Sequence, residues 1–149
     1  MKLLLVSSAG GHLAQLLLLR PFWEHHERVW VTLDKPDARE RLAGERVIWA
    51  HGPTNRAARI TLRNLALART AFREHRPDVL LSNGAGVAVP FFVVARLRGV
   101  PSVFFEVYDR IDAPSLTGAL VAPLASAVVA QWPEQLDSYP DARLLGPML

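Results

Sequence analysis

Cysteine is absent from the 149-residue chain, which excludes disulfides, zinc–thiolate sites and cysteine nucleophiles. Long apolar runs are absent too: the stretch at residues 87–95 falls well short of the roughly 20 residues that span a bilayer. No signal-peptide pattern opens the chain. We therefore expect a cytoplasmic protein that does not cross a membrane by itself.

Lysine is scarce, since Lys2 and Lys35 are the only two and the other fifteen basic residues are arginines. Arginine suits phosphate and carboxylate partners, although a GC-rich codon preference would produce the same bias. The net charge of +3 is too small to make nucleic acid the leading partner. The hydrophobic share of 50% supports one domain, residues 1–149, with a sizeable core.

Short apolar segments alternate with longer amphipathic or apolar segments along the whole chain. The predicted strands cover residues 2–6, 28–33, 46–50, 78–81, 102–106, 127–130 and 143–145. The predicted helices cover residues 12–20, 36–42, 55–75, 87–98 and 116–122, with Pro21 ending the first. This alternation predicts an α/β fold: a single Rossmann-like, doubly wound parallel sheet with helices on both faces.

Two glycine-rich loops follow the first and fourth predicted strands. Gly10 and Gly11 belong to the first loop, and Gly84 and Gly86 to the second, after Asn83. In a doubly wound sheet those two strands are neighbours where the strand order reverses, which is where ligands bind. Each loop opens a helix, so its backbone N–H groups favour a phosphate or diphosphate. Tight turns without a ligand are the alternative interpretation.

The usual nucleotide fingerprints are missing. There is no Gly-x-x-x-x-Gly-Lys-Ser/Thr, and Val89 stands where Gly-x-Gly-x-x-Gly needs its third glycine. Asp34 does resemble the ribose-binding acid of a dinucleotide site, or else it is a loop or helix-capping residue. A stand-alone dinucleotide-binding oxidoreductase therefore remains an alternative.

His12 and Glu106 are the candidate catalytic groups. A histidine at a helix N-terminus favours its neutral form, which leaves a nitrogen free to accept a proton. Glu106 follows an apolar strand, where an unpaired carboxylate is costly, so pairing with Arg110 stands beside a catalytic or substrate-binding role. The adjacent His25 and His26 lack a third ligand at suitable spacing, and we expect no metal or cofactor.

Two surfaces leave their interpretation open. Arg56, Arg59 and Arg63 share one helix face, which indicates a solvated surface rather than an anionic-lipid or phosphate surface. The leucine-rich helix 12–20 is either buried or applied to a membrane or partner, and Phe22 with Trp23 just beyond it suits an interface.

Several linked motifs resemble a known family. They occur in the order Ser8-Ala9-Gly10-Gly11-His12, then residues 82–90, then Phe105-Glu106 with Arg110, then Gln131-Trp132 with Tyr139-Pro140. Together they resemble the PssD/EpsE-type bacterial exopolysaccharide proteins and the membrane-recruiting subunit of the eukaryotic two-subunit N-acetylglucosaminyltransferase of the dolichol pathway. Both are similar to the N-terminal half of MurG-like GT-B glycosyltransferases. The resemblance covers nearly the whole sequence.

The resemblance implies one half of a split enzyme. This chain would bind the lipid-linked saccharide acceptor, and a second small Rossmann-like chain would bind the UDP-sugar. The implied reaction is inverting transfer to a polyprenyl-diphosphate-linked sugar, with His12 as the first candidate for the base and Glu106 as the second. The family pattern Glu-Ser-x-x-Arg is met by Glu106 and Arg110, but Val107 replaces its serine.

The resemblance also bears on location and on a third alternative. Eukaryotic relatives begin with a membrane-spanning helix, whereas this sequence starts directly at the first strand. Membrane contact is therefore expected to be peripheral, on the inner face of the cell membrane. A non-catalytic scaffold that only recruits a partner enzyme is the third interpretation.

Overall fold

A seven-stranded parallel sheet forms the centre of the computed structural model, which describes residues 1–53 and 58–148. The strands are β1 Lys2–Val6, β2 Glu27–Leu33, β3 Val47–Ala50, β4 Val79–Ser82, β5 Ser102–Phe105, β6 Ala127–Ala130 and β7 Arg143–Leu144. They lie side by side in the order β3-β2-β1-β4-β5-β6-β7, and every neighbouring pair is parallel. The predicted fold class is confirmed.

Within the described residues, six α-helices and one 3₁₀ helix connect the strands. They are α1 Gly11–Leu17, α2 Arg20–Trp23, α3 Pro36–Arg41, α4 Ala58–His75, α5 Ala88–Arg98, α6 Leu116–Val121 and the turn Pro133–Asp137. The predicted start of the long helix, residues 55–57 with Arg56, lies outside the described residues. None of the described helices is both long and apolar enough to cross a bilayer.

The prediction for the first helical segment is wrong in one respect. The prediction had one helix ended by Pro21, whereas α1 ends at Leu17 and Pro21 sits in the first turn of a second short helix. Proline is tolerated in a first turn because the backbone N–H it lacks would have no partner there. The break turns Trp23 into the core and leaves Phe22 45% exposed.

Alternate residues of the strands point to two cores on opposite faces of the sheet. Leu4 and Val6 of β1 pack with α4, α5 and α6, while Leu3 and Leu5 pack with α1, α2 and α3. Since both faces are covered, β1 is buried along residues 3–6, as its unbroken apolar run predicts.

The strand order places the site. β1 and β4 are adjacent although far apart in sequence, and the chain leaves them toward helices on opposite faces. This is the point of order reversal, where the carboxyl ends of parallel strands form a crevice. The segments after β1, β4 and β5 all begin at this edge.

Candidate functional site

The two glycine loops touch each other at the carboxyl edge of β1 and β4. The Ser8 N–H donates to the Gly84 carbonyl at 3.3 Å, and Asn83 Nδ2 donates to the His12 carbonyl at 2.6 Å. The predicted convergence of the loops at the switch point is therefore confirmed. It brings the start of α1, which carries the imidazole, directly beside the loop that precedes α5.

Gly10 and Gly84 hold left-handed backbone conformations, with φ of +76° and +97°. Other residues rarely adopt such values, so both turns depend on glycine. The Gly10 N–H does not point to free space: it donates to Asp37 Oδ2 at 2.8 Å. An anion could take this amide only by displacing the Asp37 carboxylate, a contact that no pattern in the sequence indicates. The phosphate-binding role of Gly10 stays a prediction.

The remaining loop residues differ in how accessible they are. Asn83 is 1% exposed, and its Oδ1 has no hydrogen-bond partner among the described residues. Gly84 is buried as well, whereas Gly11 is exposed and Gly86 is half-buried. In this arrangement Asn83 joins the two loops. Gly10 and Gly11 are exposed with nothing within 4 Å of an added Cβ, but the Gly10 N–H is already used by Asp37.

His12 is half-buried at the contact between the loops. Burial lowers the pKa of its imidazole below the ordinary value of 6.5, because desolvation disfavours the charged form. The carboxylates of Asp109 and Glu106 oppose this lowering of the pKa, and the Arg110 guanidinium adds to it. The imidazole is consequently neutral at pH 7 and able to accept a proton.

Glu106 follows β5 and is completely buried. Its Oε2 accepts from the Tyr139 hydroxyl at 2.5 Å and from the Ser115 N–H at 3.1 Å, while Oε1 accepts from the Val107 N–H at 2.9 Å. Pairing with Arg110 is one of the two interpretations that the sequence left open for this carboxylate. It is wrong for the described residues, where Arg110 is exposed and hydrogen-bond donors surround the carboxylate. A catalytic or substrate-binding role stays a prediction.

Two buried glutamines donate hydrogen bonds to backbone carbonyls at and after the end of β5. Gln131 Nε2 donates to the Glu106 carbonyl at 2.8 Å, and Gln135 Nε2 donates to the carbonyls of Val107 and Arg110, both at 3.0 Å. Sequence reasoning missed Gln135 and the roles of Ser115 and Tyr139. The available signal was an amide inside an otherwise apolar region, since buried amides need partners.

Asp34 makes a different contact from a ribose-binding acid. Both of its oxygens accept from Arg39, at 2.5 and 2.7 Å, and this bond lowers the pKa of the carboxyl below its usual value. The expectation of a loop residue describes it better than the dinucleotide interpretation. Among residues 1–53 and 58–148, no three His, Asp or Glu side chains are grouped so that they could hold a metal ion.

Comparison with known proteins gives curated relatives of two kinds. The chain is 30% identical over 92 residues to the human "UDP-N-acetylglucosamine transferase subunit ALG14", covering 58% of this chain and 43% of that protein. It is 32% identical over 85 residues to the Shewanella violacea "UDP-N-acetylglucosamine–N-acetylmuramyl-(pentapeptide) pyrophosphoryl-undecaprenol N-acetylglucosamine transferase", covering 57% and 22%. The matches thus span less than half of either relative.

Solved structures share the fold. Acinetobacter baumannii MurG superimposes with a TM-score of 0.74 at 18% identity, over 89% of this chain and 42% of that one. The UDP-N-acetylglucosamine 2-epimerase of Rickettsia bellii gives 0.75 at 11% identity, over 99% and 45%. At such identities the likeness concerns the fold alone, and it corresponds to one half of each larger protein.

The sequence family described as "Oligosaccharide biosynthesis protein Alg14 like" matches residues 49–148, more than half of the chain. That range contains the second glycine loop, Glu106 and Tyr139. The chain therefore belongs to the Alg14-like family.

Proposed function

We propose that this chain is the acceptor-binding subunit of a two-chain, inverting glycosyltransferase of the PssD/EpsE type. It would move a sugar from a UDP-sugar to a polyprenyl-diphosphate-linked saccharide in polysaccharide biosynthesis. The observation that carries the proposal is the contact of the two glycine loops beside a half-buried imidazole of lowered pKa. A diphosphate and a hydroxyl to be deprotonated are the groups that such a site suits.

The relatives support this choice of substrates. The human protein is named a subunit of a UDP-N-acetylglucosamine transferase, and the Shewanella enzyme is named for an acceptor that contains pyrophosphoryl-undecaprenol. The sheet provides one wall of a cleft, and a second small Rossmann-like chain would close it and exclude water from the donor sugar. We infer that this partner carries most of the UDP-sugar site.

In the proposed reaction His12 accepts the proton of the acceptor hydroxyl. The hydroxyl oxygen forms a bond to the anomeric carbon as the bond from that carbon to the UDP oxygen breaks, and the electron pair leaves with UDP. The acceptor diphosphate would lie against backbone N–H groups near Gly11 and Gly86, with the Arg110 guanidinium beside it. General-base catalysis of this kind contributes about 10²–10⁴-fold to the rate.

We also infer peripheral contact with the inner face of the cell membrane, where a polyprenyl acceptor would lie. Leu18 and Phe22 support it, because they are 49% and 45% exposed at the end of α1 and in α2. Exposed apolar side chains of this size suit the boundary between headgroups and acyl chains.

The proposed base predicts how the pH profile responds to its neighbours. Arg110→Gln removes a positive charge that lowers the His12 pKa, so the pKa rises and the acid limb of kcat/KM moves to higher pH. Asp109→Asn removes a negative charge that raises this pKa, so the limb moves to lower pH. The measurement is the initial rate of transfer between pH 4.5 and 8. Shifts in the same direction, or no shift in either variant, would contradict the role of His12.

The function is tested by co-expressing this chain with a second short Rossmann-like chain, sought in a neighbouring reading frame. The co-purified pair is incubated with radiolabelled UDP-N-acetylglucosamine and other UDP-sugars in the presence of membrane lipid extract. Label in the lipid phase that needs both chains supports the proposal. Label that the second chain alone transfers equally well would instead support a recruiting scaffold, and tight NAD binding by this chain would support an oxidoreductase.

A further inference from the structure

The segment after β5 carries Asp109 and Arg110, whose charges act on the His12 imidazole. Buried side chains donate hydrogen bonds to the backbone of this segment. We call residues 107–114 the β5–α6 loop, and Glu106, Ser115, Gly118 and Tyr139 the Glu106 cluster. Tyr108, Asp109 and Arg110 are exposed in the loop, whereas Val107 is buried. The loop has no regular secondary structure of its own, so its conformation depends on what its two ends and its carbonyls contact.

The Glu106 cluster fixes both ends of the loop. Glu106 lies at its start and Ser115 at its finish, and Oε2 accepts from both the N–H and the hydroxyl of Ser115, at 3.1 and 3.2 Å. Ser115 Oγ in turn accepts from the Gly118 N–H at 2.9 Å and so caps α6. The Glu106 carboxylate thus links the two ends of the loop and, through Ser115, connects the loop to the start of α6.

Tyr139 completes the cluster from a distant part of the chain. Its side chain is 6% exposed, and its hydroxyl donates to Glu106 Oε2 at 2.5 Å. Burial, followed by the bond to Glu106, raises the pKa of this hydroxyl far above its ordinary value. The phenol therefore stays protonated at neutral pH and can keep donating its hydrogen bond to Glu106.

The loop carbonyls are satisfied by the same region of the chain. Trp132 Nε1 donates to the Tyr108 carbonyl at 2.6 Å, and Gln135 Nε2 spans the carbonyls of Val107 and Arg110. These contacts come from the segment between β6 and β7, as Tyr139 does. The side chains of Asp109 and Arg110 are exposed on this loop, and their charges act on the His12 imidazole.

We propose that Tyr139 is a positioning residue: through Glu106 it fixes the β5–α6 loop so that Asp109 and Arg110 face His12 in the acceptor site. Glu106 then acts as the buried anchor of that loop, and not as a base, because its carboxylate is inaccessible and its oxygens already accept four hydrogen bonds. The part of this inference that concerns transfer rests on the proposed function. The part that concerns the loop does not.

The test compares the two tyrosines of the chain, since there are only two. Tyr139→Phe removes the hydroxyl that holds Glu106, and Tyr108→Phe removes one from a side chain that is 42% exposed. The His12 imidazole is titrated by NMR in each purified variant, and amide hydrogen exchange of residues 107–115 is measured. For Tyr139→Phe we expect the His12 pKa to change, because a looser loop weakens the effects of Asp109 and Arg110 on the imidazole. We also expect loop exchange to quicken about tenfold or more. Tyr108→Phe should change neither quantity.

Glu106→Gln separates anchoring from base catalysis. An anchor predicts the same quickening of loop exchange as in Tyr139→Phe, and the double variant should exchange no faster than the faster single variant, because both substitutions weaken the hydrogen bond between Tyr139 and Glu106. A base predicts loss of transfer with loop exchange unchanged. The His12 titration does not discriminate in this variant, because removing the Glu106 charge lowers the His12 pKa in either case. If Glu106→Gln does not fold, Tyr139→Phe alone decides: an unchanged His12 titration together with unchanged loop exchange overturns the proposal.

Transfer by the two-chain complex gives the separate readout for the reaction. Tyr139→Phe should lower kcat and leave the KM for the UDP-sugar unchanged, because the loop lies at the acceptor side. A rise in the KM for the UDP-sugar as large as the fall in kcat would overturn the positioning role. If the wild-type pair transfers no sugar while Tyr139→Phe still shifts the His12 titration, the proposed function fails and the anchoring of the loop stands.

Discussion

His12→Ala is expected to lower the rate of sugar transfer by about 10²–10⁴-fold, which is the usual contribution of a positioned general base. The substitution removes the one imidazole at the contact of the glycine loops within the described chain. It keeps the backbone carbonyl that accepts from Asn83, so the loops stay joined. The fold and the complex with the partner chain should therefore survive. The measurement is kcat with saturating UDP-sugar and acceptor, alongside a thermal melt and co-purification.

The matched control is His25→Ala, which removes an exposed histidine after α2. It should leave the rate, the melting temperature and the partner complex unchanged. His12→Gln keeps a polar side chain of similar length but cannot take up a proton, so it should be nearly as slow as His12→Ala. Full activity in both His12 variants would remove the imidazole from the mechanism and favour the recruiting scaffold.

Gly118→Ala is expected to be strongly destabilising. A Cβ at this position of α6 would overlap the Tyr139 hydroxyl and Glu106 Oε2, and would lie 2.9 Å from Ser115 Oγ. These atoms are held by one another, so relief requires breaking hydrogen bonds to a buried carboxylate. Overpacking typically costs about 1–3 kcal/mol, and breaking a buried charged contact costs about 3–5 kcal/mol. We expect the free energy of unfolding to fall by about 4 kcal/mol.

The measurement for Gly118→Ala is thermal or urea unfolding, with a melting temperature lower by about 10 °C for a chain of this size. Gly11→Ala is the control for stability, because a Cβ there meets nothing within 4 Å. It adds the same methyl group to a helical glycine and should leave the melting temperature nearly unchanged. Equal melting temperatures in the two variants would show that the Glu106 cluster tolerates a methyl group.

The parallel sheet with helices on both faces could be predicted because its buried strands leave a strong pattern in sequence. Leu3 to Val6 form an unbroken apolar run that only a strand covered on both faces explains. The first helical segment could not be predicted as well. Pro21 equally ends one helix or begins another, and the choice depends on whether Trp23 can reach the core against Trp30, where the two rings pack edge to face.

The site was predictable where its parts lie next to strand ends and not where they meet across the fold. The loops converge because β1 and β4 are neighbours, which the topology alone implies. Glu106 looked like a partner for Arg110 because that is the nearest following cation in the sequence. One of its actual hydrogen-bond donors, Tyr139, lies 33 residues away in the segment after β6. No local pattern encodes such a contact.

The contact that Asp37 makes with the first glycine loop could not be predicted from the sequence either. It lies in the first turn of α3, where an acidic residue is ordinary, and nothing in the sequence indicates that its carboxylate reaches the Gly10 N–H. The distance of 2.8 Å depends on how α3 packs against the first glycine loop. Only the packed structure shows that part of the amide-rich turn is already used.

The most direct measurement is a crystal structure of the chain with its partner and a water-soluble, short-chain isoprenyl diphosphate–saccharide. We expect the diphosphate between the two glycine loops, with its oxygens about 3 Å from backbone N–H groups near Gly11 and Gly86 and a saccharide hydroxyl facing His12. A diphosphate bound elsewhere on the chain, with the space between the loops empty, would contradict the account.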